Sequence, residues 1–168
     1  MPGATMTSPT ALPYRSGLMA VRPEWIDYNG HLNLAYYHVL FDKGIDGLFD
    51  SIGLGETYRA ERGYTTYTAE AHVCYLREVP PQAEVYVTSQ IVGLDEKRLH
   101  IFQELHHSDD WAAATLESLS LSIDQRGDAP KVAPFPSGTF ARVSAAAAAH
   151  AELARPERLG RSIGMPRR

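Results

Sequence analysis

Apolar residues recur every three or four positions from Leu34 to Ile52 and every two positions from Thr65 to Asp124, so one long helix is followed by a run of strands. Leu34, Tyr37, Phe41, Ile45, Leu48 and Ile52 trace a single stripe of an α-helix about five turns long. Asn33 is placed to cap its start, and Gly53, with Gly55 just beyond, to stop it. Asp42, Asp46 and Asp50 fall four apart on a polar side. Gly44 and Gly47 weaken the helix intrinsically, and a sheet wrapped tightly around it would account for them. Period-two segments predict strands over 65–77, 84–94, 98–107 and 113–124, dense in Val, Ile, Thr, Tyr and Leu. The links at Pro80-Pro81, Asp95 to Lys97 and Ser108 to Asp110 are short, which predicts antiparallel neighbours in a four-strand meander. With a first strand over 17–22, the helix buries its stripe on one face of the sheet, giving a two-layer α+β domain.

A chain of 168 residues suffices for one such core. Residues 1–16 read as a loose leader, 17–124 as the folded domain, and 125–168 as a Pro/Ala-rich basic extension with a short helix over 144–153. Charge is uneven: residues 1–125 hold 8 Lys/Arg against 17 Asp/Glu, and the remainder 8 against 3. An acidic body argues against nucleic-acid binding. No segment is long and apolar enough for a membrane span or a signal h-region, and the lone Cys74 forms no internal disulfide, so a cytoplasmic location is expected. No G-x-S-x-G elbow, P-loop or Rossmann fingerprint occurs, and the seven histidines include no H-x-x-x-H pair. Neither a metal nor any other cofactor is expected.

Chemistry concentrates in Asp27-Tyr28-Asn29-Gly30-His31-Leu32-Asn33, an acid-bearing glycine loop that runs into a helix N-terminus. Free backbone N–H groups and the helix dipole favour negative charge there. A thioester carbonyl over those amides would gain a stabilised oxyanion, and a carboxylate a few residues earlier could attack it or activate water. The plainer alternatives are Asx-turns made by Asp27 and Asn29 and a structural His31.

The form D-x-x-G-H-x-N-x-x-Y-Y from Asp27 to Tyr37 resembles the signature of the 4-hydroxybenzoyl-CoA thioesterase-like branch of hot-dog proteins. The blocks Tyr67 to Glu78, Leu94 to His100 and Ala112 to Asp124 resemble that group's later strands, so the likeness covers about residues 17–124. It implies a hot-dog acyl-CoA thioesterase, with coenzyme A as part of the substrate. It also implies Asp27 as catalytic acid, Gly30 opening the turn, His31 beside it and an oxyanion amide near Leu34. Asn29, Gly30, Asn33, Leu34, Tyr37 and Thr68 are the expected substrate contacts. Glu70 is a second catalytic candidate, on a strand face expected to be shared with Thr68 and His72. Its plainer readings are an exposed sheet face or a subunit contact. Glu117 is a weaker third candidate. Lys97, Arg98, Arg59 and Arg62 are candidate contacts to the coenzyme A phosphates.

Among these relatives, Trp25 to His31 and Asp95 to His100 look most like betainyl-CoA thioesterases of carnitine breakdown. A betainyl group calls for aromatic faces or a carboxylate, which Tyr28, Tyr36, Tyr37 and Glu70 could supply. Leu32-Asn33-Leu34 departs from the more polar run expected there and points to a more apolar acyl group. Hot-dog proteins pair as two-fold dimers, so a homodimer, extended in some members to a dimer of dimers, is implied. A non-catalytic acyl-CoA-binding protein and a hot-dog dehydratase or hydratase are the rival readings.

Overall fold

Asn33 does cap the long helix, its Oδ1 accepting the Ala35 N–H at 3.0 Å, and Gly53 ends it in the left-handed region at φ 76°. A computed structural model describes residues 12–165 and places this helix, α1, at Leu34–Ile52. Before it come β1 (Tyr14–Arg15), β2 (Met19–Ala20) and a 3-10 turn at Pro23–Trp25. After it come α2 (Glu56–Arg62), β3 (Tyr64–Tyr75), β4 (Glu84–Leu94), β5 (Arg98–His107), β6 (Ala112–Asp124), β7 (Lys131–Val132) and α3 (Ser137–Ala151). Tyr37, Leu40, Phe41, Ile45, Leu48 and Ile52 of α1 are buried, each side chain worth roughly 1.5–3 kcal/mol of transfer free energy. No helix among the described residues is long and apolar enough to cross a membrane.

The antiparallel sheet runs β1-β4-β5-β6-β3, with β2 also on β4 and β7 on β6, and it wraps α1 in the hot-dog arrangement. This corrects the expected meander, because β3 pairs with β6 rather than with β4. The link over 76–83 has eight residues and reaches about 26 Å when extended. Three strand spacings need only about 14 Å, so a short link can cross a curled sheet end to end. Val79, fully buried, anchors the crossing.

Both ends of the chain depart from expectation. The leader expected over 1–16 ends sooner, since Tyr14 and Arg15 pair with Ser89 and Thr88 of β4; residues 1–11 lie outside the described residues. In place of one strand over 17–22, two strands of two residues each appear, because the chain meets β4 twice. The C-terminal helix starts at Ser137 rather than at 144 and joins the core through the buried Val143, with Phe135 of the preceding segment buried in the same cluster.

Near the end of α3, buried His150 accepts the Ile91 N–H through Nδ1 at 2.9 Å, covering a donor on the outer edge of β4. Burial holds the His150 imidazole below its usual 6.5, so the folded state prefers the neutral ring. Its contribution is present above pH 6.5 and is lost as pH falls below that value towards the lowered folded pKa. Thermal unfolding followed by circular dichroism from about pH 7.5 to about pH 5.5 should show a falling Tm in the wild type. His150→Gln should fall less steeply, and equal slopes would exclude this device.

Candidate active site

Turn chemistry shapes the loop ahead of α1. Ile26 and Leu32 form an antiparallel bridge, the Asp27 N–H donates to the His31 carbonyl at 3.0 Å, and the Gly30 N–H to the Asp27 carbonyl at 3.0 Å. Gly30 sits at φ 82°, the left-handed position that closes such a turn. Asp27 Oδ1 accepts the Asn29 N–H at 2.8 Å, an Asx-turn. One carboxylate oxygen therefore shapes the turn, while the other has no hydrogen-bond partner among the described residues. Bonds from the Leu32 N–H to the Val79 carbonyl, and from the Asn33 N–H to that of Trp25, pin the loop to the core.

The loop delivers the chain to the α1 N-terminus. The Asn33 side chain satisfies Ala35, whereas the Leu34 N–H has no partner among the described residues, and Leu34 is 64% exposed. A half-buried carboxylate and an open helix amide thus lie at the two ends of one short, pinned segment. His31 Nε2 lies 3.1 Å from Glu78, which orients the ring beside this loop, and Asn29 is exposed at the turn. Tyr37 departs from its expected substrate role. It is buried against the edge of Tyr75, and its hydroxyl accepts the Val79 N–H at 3.3 Å. Burial pushes its pKa up.

A cleft of roughly 790 Å3 opens between α1 and the β3–β6 side of the sheet. Asp42, Asp46 and Asp50 line it from the helix, Thr68 from β3, and Gln103 and Ser118 from β5 and β6. Thr68 lies on the helix side as expected, but Glu70 does not share its face. A bulge falls between Thr68 and Glu70, so that Glu70 pairs with Leu119 while Ala71, beside Ser118, returns to the cleft. Glu70 and His72 therefore look outward. Glu117 also faces outward, held by His100 Nε2 at 2.8 Å and the Gly160 N–H at 2.7 Å, a structural role.

The basic candidates are dispersed. Arg59 lines the cleft with its Nε on Gln125 Oε1, and Arg62 is exposed at the end of α2. Lys97 and Arg98 form the β4–β5 hairpin, where Asp95 binds the Arg98 guanidinium and is itself held below the usual carboxylate range. Gln103 and Ser118 were missed in the sequence. Their one signal is a polar residue at an inward position of a period-two strand.

Residues 21–146 match the family model of the thioesterase-like superfamily. A betainyl-CoA thioesterase of Pseudomonas aeruginosa is 42% identical over 147 residues, covering 87% of this chain and 91% of its own. An L-carnitine dehydrogenase/betainyl-CoA thioesterase of Rhizobium meliloti is 35% identical over 148 residues, of which this chain spans only 29% of the length. A Staphylococcus aureus protein solved in complex with CoA superposes with a TM-score of 0.80 at 29% identity, over 92% of this chain and 96% of that one. With its pinned acid loop, its open helix terminus and these relatives, the chain belongs to the thioesterase-like superfamily and is a thioester hydrolase.

Proposed function

We propose that this chain hydrolyses betainyl-CoA to betaine and coenzyme A, with Asp27 as the catalytic carboxylate. The observation that carries the reading is the loop geometry: Asp27 keeps one carboxylate oxygen unpartnered ahead of a helix whose first amide, that of Leu34, is also unpartnered. Asp27 acts on the thioester carbonyl directly or through a water that it deprotonates. Both routes pass through a tetrahedral oxyanion, which the Leu34 N–H and the helix dipole stabilise before the thiolate leaves. His31, oriented by Glu78, borders the reacting group, and Asn29, Gly30, Asn33 and Thr68 shape its surroundings. Arg59, Arg62 and Lys97 are the cations open to the phosphates of coenzyme A, while Arg98 would first have to leave Asp95. The relative from P. aeruginosa supports the acyl group, and the CoA-bound structural relative supports the thioester carrier. Free-thiol release across a panel of acyl-CoA substrates tests the reading: betainyl-CoA should be cleaved fastest, and no turnover on any of them would overturn it.

The working unit is a homodimer joined at β3. That strand has twelve residues, pairs only on its β6 side among the described residues and is exposed from Tyr67 to Ala71, an open edge of the kind that invites pairing. Sedimentation should give about twice the 18.6 kDa chain mass. A fully active monomer at micromolar concentration would exclude the dimer. Because Glu70 faces away from the cleft, Glu70→Gln should leave the pH–rate profile unmoved and kcat within about twofold. A shifted acid limb would restore Glu70 to the mechanism.

A further inference from the structure

We propose that Asp46, flanked one turn to either side by Asp42 and Asp50 and joined by the side-chain carbonyl of Gln103, holds a quaternary ammonium head of the acyl group, and that this row serves the Asp27 of a second chain. This rests on the thioesterase reading above and names the part of the site that selects its substrate. The three carboxylates stand one turn apart along the cleft face of α1. Glu56 adds a fourth carboxylate at the rim, against the single guanidinium of Arg59, which already donates to Gln125.

An independent feature lies in the floor. Gln103 is only 2% exposed, and its Nε2 donates to the Phe41 carbonyl at 3.1 Å and to Ser89 Oγ at 3.2 Å. A backbone carbonyl can only accept, so the amide cannot be flipped. Gln103 Oε1 therefore remains without a partner among the described residues, on a side chain that lines the cleft. Ser118, 6% exposed and also lining the cleft, likewise has no partner for its hydroxyl. A largely buried amide whose oxygen has no protein partner among the described residues, lining the same cleft as a row of carboxylates, fits a cation.

A quaternary ammonium makes no conventional hydrogen bonds and is recognised through negative charge and aromatic faces; Phe49 lines the same cleft. Burial first, and then the neighbouring Asp42 and Asp50, push Asp46 above the usual carboxylate range, with Lys43 opposing. A positive guest beside the row would offset both the burial and the like charges that oppose ionisation of Asp46.

Geometry requires the second chain. Asp46 lies twelve residues into α1, about 18 Å along the axis from the terminus beside Asp27. In a betainyl thioester the nitrogen is two bonds from the carbonyl carbon. One chain's Asp27 and Asp46 therefore cannot grip the same acyl group. Two chains joined antiparallel at β3 set their α1 helices antiparallel, bringing one chain's Asp27 loop towards the other's acidic row.

The test compares betainyl-CoA with its uncharged isostere, 3,3-dimethylbutyryl-CoA. Wild type should favour betainyl-CoA by at least about tenfold in kcat/KM, and Asp46→Asn, or all three Asn replacements together, should remove that preference while keeping activity on the isostere. An equal loss on both substrates, or an unchanged preference, overturns the proposal, and isostere activity shows that the variant is folded. If wild type cleaves only the isostere, the subsite falls and the thioesterase reading stands. If it cleaves neither, the thioesterase reading falls. Calorimetry with tetramethylammonium then decides the subsite, which stands if wild type binds the cation and the triple variant does not. Co-expression of Asp27→Asn chains with triple-variant chains should recover about a quarter of wild-type betainyl-CoA activity through mixed dimers. No recovery would mean that Asp27 and the row act within one chain, and would overturn the shared site.

Discussion

Asp27→Asn should lower kcat on the preferred acyl-CoA by about 10²–10⁴-fold while leaving the unfolding curve close to wild type. The asymmetry follows from the two jobs of the side chain. Oδ1 accepts the Asn29 N–H at 2.8 Å, and an asparagine carbonyl oxygen accepts the same bond, so the turn through Gly30 is kept. The second oxygen is the one free to act on a thioester or on water, and its replacement by an amide removes both nucleophile and base. Asp27→Ala should lose the turn as well, costing about 1 kcal/mol of stability on top of the same loss in rate. Stopped-flow or thiol-trap kinetics beside a denaturant titration separates the two. An Asp27→Asn enzyme within threefold of wild-type kcat would reduce Asp27 to a turn former and leave the reading without its carboxylate.

Local chemistry was legible in the sequence wherever it was decided locally. Asn33 and Gly53 bound the helix because a cap and a left-handed stop act on their own neighbours, and the long strands announced themselves by period. The partner of β3 was not legible, since the curl of the sheet around α1 decides which strands meet. Nor was the bulge at Ala69, and it turned Glu70 out of the site; one inserted residue inverts every side chain beyond it. Tyr37 is a different case. It belongs to the apolar stripe of α1 and is buried for that reason, so the periodicity outweighs its place in the Tyr36-Tyr37 motif. α2 escaped because Tyr58 is its one buried residue, too few to set a period. The acidic row was visible as a spacing, but its meaning depends on Gln103, which the fold brings from β5 to line the same cleft.

Gly44→Ala should destabilise the protein by about 1–3 kcal/mol, lowering Tm by several degrees, whereas Gly47→Ala should be close to neutral. Both glycines sit inside α1, where alanine gains up to about 1 kcal/mol of helix propensity, so propensity alone predicts two equal improvements. Packing separates them. A Cβ on Gly44 would stand 2.4 Å from Val87 Cβ and within 2.9 Å of both its methyl groups. Val87 is fully buried on β4 and β-branched, held by strands on both sides, so neither its backbone nor its χ1 can yield. Relief requires α1 to lift from β4, which loosens Leu40, Phe41 and Leu48 together. On Gly47 the obstruction is the Tyr14 hydroxyl, the far end of a half-buried side chain on the two-residue strand β1. Tyr14 can swing aside by giving up part of its packing on the core cluster of Ile45 and Leu48, a loss that offsets the helix gain and leaves the change near neutral. Thermal unfolding of the two variants beside wild type is the measurement. Equal shifts in both would mean that the helix does not rest on β4 as closely as Gly44 implies, and that the sheet is free to move away from it.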